Sequence, residues 1–270
     1  MGEPLVSIII PCYNSNSTLP RALASVHTQT YKNWECIVID DGSIHKASEI
    51  MGAFSDSRFR YIELPKNSGR GFVRQRGLEE AKGKYLCMVD SDDWILPSKI
   101  EFQINHLERR SDLSLVACSM AIVGSNDELV GLRHFTKSRS LDIRAPLKGV
   151  WRLPIPHAPS MIRMEVAKRF SFDSTLRIVE DFDYLLKILL KHPFGISRDV
   201  GYCYTEFATL NWWKLVKSNL MTILILRKYY STYPVSALIH TLQCVGKSII
   251  HTLLFITGLN RLLIRYRTAI

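Results

Sequence analysis

Four short apolar runs, each cut off by a polar or proline-containing segment, dominate the first 110 residues and leave few folds open. Residues 5–10 (Leu-Val-Ser-Ile-Ile-Ile) stop at Pro11, and residues 36–39 stop at Asp40-Asp41-Gly42-Ser43. Residues 59–64 stop at Pro65, and residues 85–89 run straight into Asp90-Ser91-Asp92-Asp93. Runs of this length, rich in β-branched and aromatic residues and bounded by turn residues, are buried strands. The segments between them carry helical spacing. Residues 18–29 place Leu19, Ala22, Leu23 and Val26 on one face behind Ser17 as N-cap, residues 46–54 and 71–81 follow, and residues 97–110 start with Pro97 in the first turn. Strand and helix in alternation make a mostly parallel sheet with crossover helices, an α/β class of Rossmann-like design. Such sheets bind ligands beyond the carboxyl ends of their strands, where the strand order switches. Residues 11–14, 40–43 and 90–93 all fall at strand ends, so polar groups far apart in the chain are expected on one rim.

The remainder is less regular. Residues 113–123 and 160–164 read as strands and residues 182–190 as a helix, while residues 124–150 show no usable pattern. The expected division is one domain over 1–206, with a regular part at about 4–110 and a looser part at about 111–206, followed by a helical tail over 207–270. Apolar residues make up 47% of the 270, ordinary for a folded domain, and the formal charge is +10, which points to an anionic partner. From residue 207 onward there is no Asp or Glu, and Lys214, Lys217, Arg227, Lys228, Lys247, Arg261, Arg265 and Arg267 supply the basic excess. No window offers the ~20 uninterrupted apolar residues of a spanning helix. Leu238, Leu242, Val245, Ile249, Leu253 and Ile256 nevertheless share one helical face, opposite His240, Gln243, Lys247 and His251. An amphipathic tail with basic flanks, and Trp212, Trp213, Tyr229 and Tyr230 for the interface, suits an anionic bilayer surface. The alternative is a helical pair packed on the body or on a second subunit. The basic residues alternate with Leu, Ile and Val and form no nucleic-acid motif. Six scattered cysteines without metal spacing, and an N-terminus without signal-peptide layout, indicate reduced thiols in the cytoplasm.

Asp90-Ser91-Asp92-Asp93 sets three carboxylates within four residues, an arrangement that repels itself unless a cation is present. Oxygen ligands suit Mg²⁺ or Mn²⁺, which share coordination with substrate phosphates; the competing reading is a solvated turn with Asp93 capping the next helix. Asp40-Asp41-Gly42-Ser43 is a turn by itself and a candidate for base or ribose hydrogen bonds only on a shared rim. Asn67-Ser68-Gly69-Arg70-Gly71 leads into a helix bearing Arg74 and Arg76, a setting that favours phosphate. Glu180 and Asp181 open a helix; acidic first turns usually answer the helix dipole, and the chemical alternative is a general base. His157, in the stiff Pro154-Ile155-Pro156-His157-Ala158-Pro159 segment, is a candidate pocket residue.

Ser7-Ile8-Ile9-Ile10-Pro11-Cys12-Tyr13-Asn14, Asp40-Asp41-Gly42-Ser43, Asn67-Ser68-Gly69 with Arg74, Asp90-Ser91-Asp92-Asp93 and Glu180-Asp181 occur in that order, and together they resemble family 2 glycosyltransferases of the GT-A fold. The resemblance is firm over residues 4–110, looser to about 205 and absent from the tail. It implies a nucleotide-sugar donor, with a UDP-sugar expected, and inversion at the anomeric carbon. Pro11, Tyr13 and Asp41 would line the nucleoside pocket, Arg74 would reach base or phosphates, and Asp90 would contact ribose. Asp92 would hold Mn²⁺ or Mg²⁺, Asp181 would be the catalytic base, and Asn14, Asn67 and Ser91 complete the donor set, with Asp93, Glu180 and His157 as further candidates. The Tyr-Arg-x-His stretch that many members carry is replaced by Tyr202-Cys203-Tyr204-Thr205-Glu206, and the QxxRW motif of processive synthases is missing. Single-sugar transfer to a lipid-linked glycan in bacterial surface-polysaccharide assembly, on the cytoplasmic face of the inner membrane, is the reading this supports. A catalytically impaired membrane adaptor is one alternative. A sugar nucleotidyltransferase is the other, although Pro-Cys-Tyr-Asn stands where such enzymes carry a Gly-rich basic loop.

Overall fold

The computed structural model describes residues 2–124, 126–206 and 211–259. In chain order the first half contains β1 (Val6–Cys12), α1 (Leu19–His27), β2 (Trp34–Asp40), α2 (Ser48–Gly52), β3 (Phe59–Glu63), α3 (Arg70–Glu80), β4 (Tyr85–Met88), β5 (Trp94–Ile95) and α4 (Lys99–Arg109). The second half contains β6 (Leu115–Val123), β7 (Leu129–Arg133), β8 (Asp142–Arg144), β9 (Ser160–Arg163), α5 (Met164–Ala167), α6 (Glu180–Leu189), β10 (Phe194–Thr205), α7 (Trp212–Arg227) and α8 (Pro234–Ile256).

The strands form one sheet in the order β3-β2-β1-β4-β9-β6-β10-β5, with β7 beside β6 and β8 beside β10. The β3-β2-β1-β4 part is wholly parallel. β1 is its first strand in sequence but has β2 on one side and β4 on the other, with Ile8 opposite both Cys36 and Cys87. The strand order therefore switches at β1. Beyond β4, β9 pairs antiparallel with both β4 and β6, which makes the whole sheet mixed.

Alternation along the strands builds two cores. Ile8, Ile10, Cys36 and Val38 face α1 and α4, packing with Leu23, Val26, Ile104 and Leu107. Ile9, Ile37 and Ile39 face the other way, onto Val73 and Leu78 of α3 and Leu185 and Ile188 of α6. The result is three layers with the strand ends left open on one rim.

Several local expectations shift. Thr18, not Ser17, precedes α1, and it makes no side-chain cap; its hydroxyl donates to the Ser15 carbonyl instead. α4 begins two residues after Pro97, because Leu96 still donates from its backbone to Gly201 and the Pro97 carbonyl accepts from Thr30. Residues 124–150 contain β7 and β8, whose Leu129, Val130 and Ile143 are exposed and so carry no burial signature. β10 is a 12-residue strand inside the sheet. Its pattern is hidden because the pairing with β6 slips between Ile196 and Val200 and again before Tyr202.

The tail is a helical hairpin. Leu226 of α7 and Ala237 of α8 join Val150 and Leu186 in a small buried cluster, which docks the hairpin on α6. Part of the polar side of α8 faces inward, where His240 Nδ1 lies 2.8 Å from the Val150 carbonyl and the buried Ser236 Oγ accepts from the Val150 backbone at 3.0 Å, whereas Gln243 and Lys247 are exposed. The apolar side faces out, with Leu238, Leu242, Ile249 and Leu253 all more than half exposed. By length and composition α8 is also sufficient to cross a bilayer. Arg261, Arg265 and Arg267 lie outside the described residues.

Candidate active site

The rim at the switch point encloses a cavity of about 450 Å³, within the range of small-ligand sites. Pro11, Tyr13, Asp41, Asn67, Arg74, Asp90, Ser91 and Asp92 all line it, contributed by β1, α3 and the segments that follow β1, β2, β3 and β4. Asp41 and Asp92 thus border the same space although 51 residues separate them in the chain.

The loops after β1 and β2 are locked together. Asn14, with φ at +50°, accepts from the Ile44 backbone and donates from its own to Ser43 Oγ. That role takes Asn14 out of the cavity wall, contrary to expectation. Asp40 is buried and spent on the Ser43 and Ala47 backbones and the Tyr61 hydroxyl. Asp41 accepts from Ser68 N at 2.6 Å and Gly69 N at 2.9 Å, so its carboxylate shapes the 67–69 loop as well as lining the cavity. The close approach of these loops requires Gly42: its φ is +69°, and a Cβ there would sit 2.6 Å from the Lys66 carbonyl carbon.

The 90–93 cluster relieves its own repulsion without converging on one point. Asp90 donates nothing to a cage; its Oδ1 is 2.7 Å from Arg74 Nη2. Burial would push Asp90 up, but Arg74, helped by Arg70, outweighs it and holds the carboxyl below its usual range. Asp93 turns inward, accepting from Tyr202 Oη at 2.8 Å and Thr205 N at 2.7 Å. Burial, then the charges of Asp90 and Asp92, push it up to about 8. Asp93 therefore belongs neither to a helix cap nor to the cavity wall, and it anchors the end of β10. Asp92 is left half-buried at the cavity, raised by burial and by Asp90 and opposed by Arg70 and Lys214. Among the described residues no three His, Cys, Asp or Glu side chains form a cation cage. A Mg²⁺ or Mn²⁺ ion carried on substrate phosphates needs only one or two carboxylates, and Asp92 fits that requirement.

Behind the cavity Arg74 ties two elements together. Its Nη1 is 2.7 Å from Glu180 Oε1, and both side chains are buried. Glu180 is thus the partner of Arg74 and lies off the cavity wall, and Arg74, expected to reach the ligand, has both terminal nitrogens already engaged. Asp181, next in α6, is half-buried, accepts from the Phe182 backbone and lies outside the cavity lining. His157 is buried edge-on against Phe172 and Tyr184, and neither ring nitrogen has a partner among the described residues. Burial, then Arg74, lower it to about 4, and it too is absent from the lining.

The cavity also has a cationic side that the sequence pattern did not single out. Arg70 opens α3, Arg177 precedes α6, and Lys214 sits in the first turn of α7. Gly71 lets the loop bearing Arg177 approach, since a Cβ there would collide with the Asp173 and Leu176 carbonyls. Arg177 Nη1 donates to Asn67 Oδ1 at 3.2 Å. Tyr204 and Thr205 complete the wall from β10. Carboxylates and cations interleaved around one cavity suit a ligand that carries both a metal and phosphates.

Residues 7–170 match the model of the family described as "Glycosyl transferase family 2". The UDP-Glc:alpha-D-GlcNAc-diphosphoundecaprenol beta-1,3-glucosyltransferase WfgD of Escherichia coli is 34% identical over 131 residues, 48% of this chain and 51% of that one. The chain spans less than two thirds of the length of several such curated relatives. S. aureus TarS 1-349 in complex with UDP-GlcNAc superposes with a TM-score of 0.64 at 17% identity, over 91% of this chain and 81% of that one. The mannosyltransferase PcManGT of Pyrobaculum calidifontis, in complex with GDP-Man and Mn2+, gives 0.62 at 15% identity, over 95% and 80%.

Proposed function

Because the chain belongs to glycosyl transferase family 2 and is a glycosyltransferase of GT-A fold, we propose that it transfers a single sugar, with inversion, from a UDP-sugar to a hydroxyl of a lipid-linked glycan. The observation that carries this reading is the shared cavity, which Asp41, Asp90 and Asp92 line together with Arg70 and Arg177. A uridine diphosphate with a divalent ion matches that distribution of charge. Asp92 would hold Mn²⁺ or Mg²⁺ against the diphosphate, and the ion would neutralise charge on the leaving group. The Mn2+ named with the P. calidifontis neighbour supports the same metal class. The donor and the lipid acceptor named for the E. coli relative support both substrates.

Asp181 takes the proton from the acceptor hydroxyl. The acceptor oxygen then bonds to the anomeric carbon as the bond from that carbon to the β-phosphate oxygen breaks, on the opposite face. The nucleoside diphosphate leaves with the electron pair, and Arg70 and Arg177 meet its charge. Glu180, fixed to Arg74, holds the N-terminus of α6 and so the direction in which Asp181 points.

The outward apolar face of α8 and the acid-free composition from residue 207 favour docking on an anionic bilayer, at the cytoplasmic face of a bacterial membrane. The buried Ser236 and His240, hydrogen-bonded to the Val150 backbone, favour α8 lying along the surface over spanning it. The test is turnover with UDP-sugars and a membrane extract as acceptor, reading released UDP. Asp181→Asn should keep donor binding and lose transfer by roughly 10²-fold or more. Full turnover by that variant removes Asp181 from the mechanism.

A further inference from the structure

We propose that Lys214, supplied by the tail, is a diphosphate contact that completes the donor site; this rests on the nucleotide-sugar reading above. The stretch at 202–206, Tyr-Cys-Tyr-Thr-Glu, offers the cavity no cation. Its polar side chains are occupied too. Tyr202 is held by Asp93, and the Thr205 hydroxyl donates to the Asp92 carbonyl at 2.7 Å and accepts from Arg21. The positive charge on this side of the cavity comes instead from the next element.

Lys214 lines the cavity beside Asp92, Tyr204 and Thr205, and its charge acts on Asp92. Among the described residues no carboxylate lies within ion-pairing distance of its ammonium, whereas Lys84, Lys187 and Lys228 each have one. Its backbone is fixed: Asn211 caps α7 by accepting from Lys214 N at 3.1 Å. α7 is fixed in turn, through Trp212 Nε1 donating to Thr252 of α8 and through Leu226 packed on Leu186 of α6. An ammonium that is unpaired, faces a cavity and is rigidly carried is set to donate to a phosphate oxygen. The hairpin is therefore part of the donor site as well as a docking element.

Calorimetry at fixed Mn²⁺, with UDP, UMP and uridine as probes, tests this on the wild type, Lys214→Ala, Lys214→Arg and Lys217→Ala. Lys217 lies one turn on, carries the same charge and does not line the cavity. Lys214→Ala should weaken UDP roughly tenfold or more and UMP less, and leave uridine unchanged. Lys214→Arg should recover most of the loss, and Lys217→Ala should match the wild type. Equal UDP affinity in Lys214→Ala and the wild type overturns the proposal and leaves the glycosyltransferase reading intact. Equal losses for UDP and uridine, or for Lys214→Ala and Lys217→Ala, overturn it as well, by assigning the effect to folding or to net charge. A wild type that does not bind UDP overturns the donor reading and this proposal with it.

Discussion

Replacing Arg74 with Met should destabilise the protein strongly, and the structure says by how much. The guanidinium is 6% exposed and bridges Glu180, 2% exposed, to Asp90, 33% exposed. Met fills most of the vacated length, so the packing loss is small. What remains is charge. Asp90 is open enough for water to take over part of its solvation, whereas Glu180 is left as a buried carboxylate with nothing to balance it. Breaking a buried pair by removing one partner costs about 3–5 kcal/mol. The partial exposure of Asp90 puts this case near the lower end, about 3 kcal/mol. For a domain of this size that is a fall of roughly 6–12 °C in Tm. Urea unfolding followed by tryptophan fluorescence at pH 7.5 measures it. Adding Glu180→Gln removes the stranded charge, so the double variant should regain more than half of the loss. A cost below about 1 kcal/mol for Arg74→Met, or a double variant no more stable than the single one, refutes the claim that Arg74 supports Glu180 electrostatically.

Two further outcomes follow from groups away from the donor. His157 has its folded value lowered to about 4, by burial first and Arg74 second, against about 6.5 unfolded. The fold favours its neutral form, so its contribution is complete above about pH 6.5 and is lost as pH falls towards 4, by up to about 3 kcal/mol. Urea midpoints across that window should fall less steeply for His157→Leu than for the wild type, and parallel curves would contradict the assignment. On the tail, Leu242→Glu with Ile249→Glu puts two charges on the outward face of α8, and binding to phosphatidylglycerol vesicles in a sedimentation assay should drop at least tenfold. Unchanged sedimentation, or a wild type that dimerises through this face in the absence of lipid, would exclude a bilayer as its occupant.

The half of the fold that the sequence displays is the half built by local rules. In β1 and β2 every residue but one is buried and in β4 all are, so each reads as a mainly apolar run, and each ends where the rim begins. β10 and β7 were hidden for opposite reasons. β10 is central but slips register against β6, and β7 lies at an exposed position with Leu129 in solvent. The site divides along the same line. Asp41, Asp90, Ser91 and Asp92 are legible because they directly follow strands. Arg177 and Lys214 stand in segments without a pattern, and only the approach of Gly71 to the 173–176 carbonyls and the packing of α7 on α6 bring them to the cavity. Composition also misled about the acidic cluster. Three neighbouring carboxylates suggested that a cation must balance them, whereas Arg74 answers Asp90, and Tyr202 and Thr205 hold Asp93.

The proposed reaction requires a nucleoside diphosphate to bind beside Asp92 together with a divalent ion. Titrating UDP into the wild type and into Asp92→Ala, each with and without Mn²⁺, addresses that directly. The wild type should bind UDP at least tenfold more tightly with Mn²⁺ than without it, and Asp92→Ala should show the same weak binding in both conditions. UDP affinity indifferent to Mn²⁺ in the wild type, or a full Mn²⁺ effect persisting in Asp92→Ala, would contradict the account.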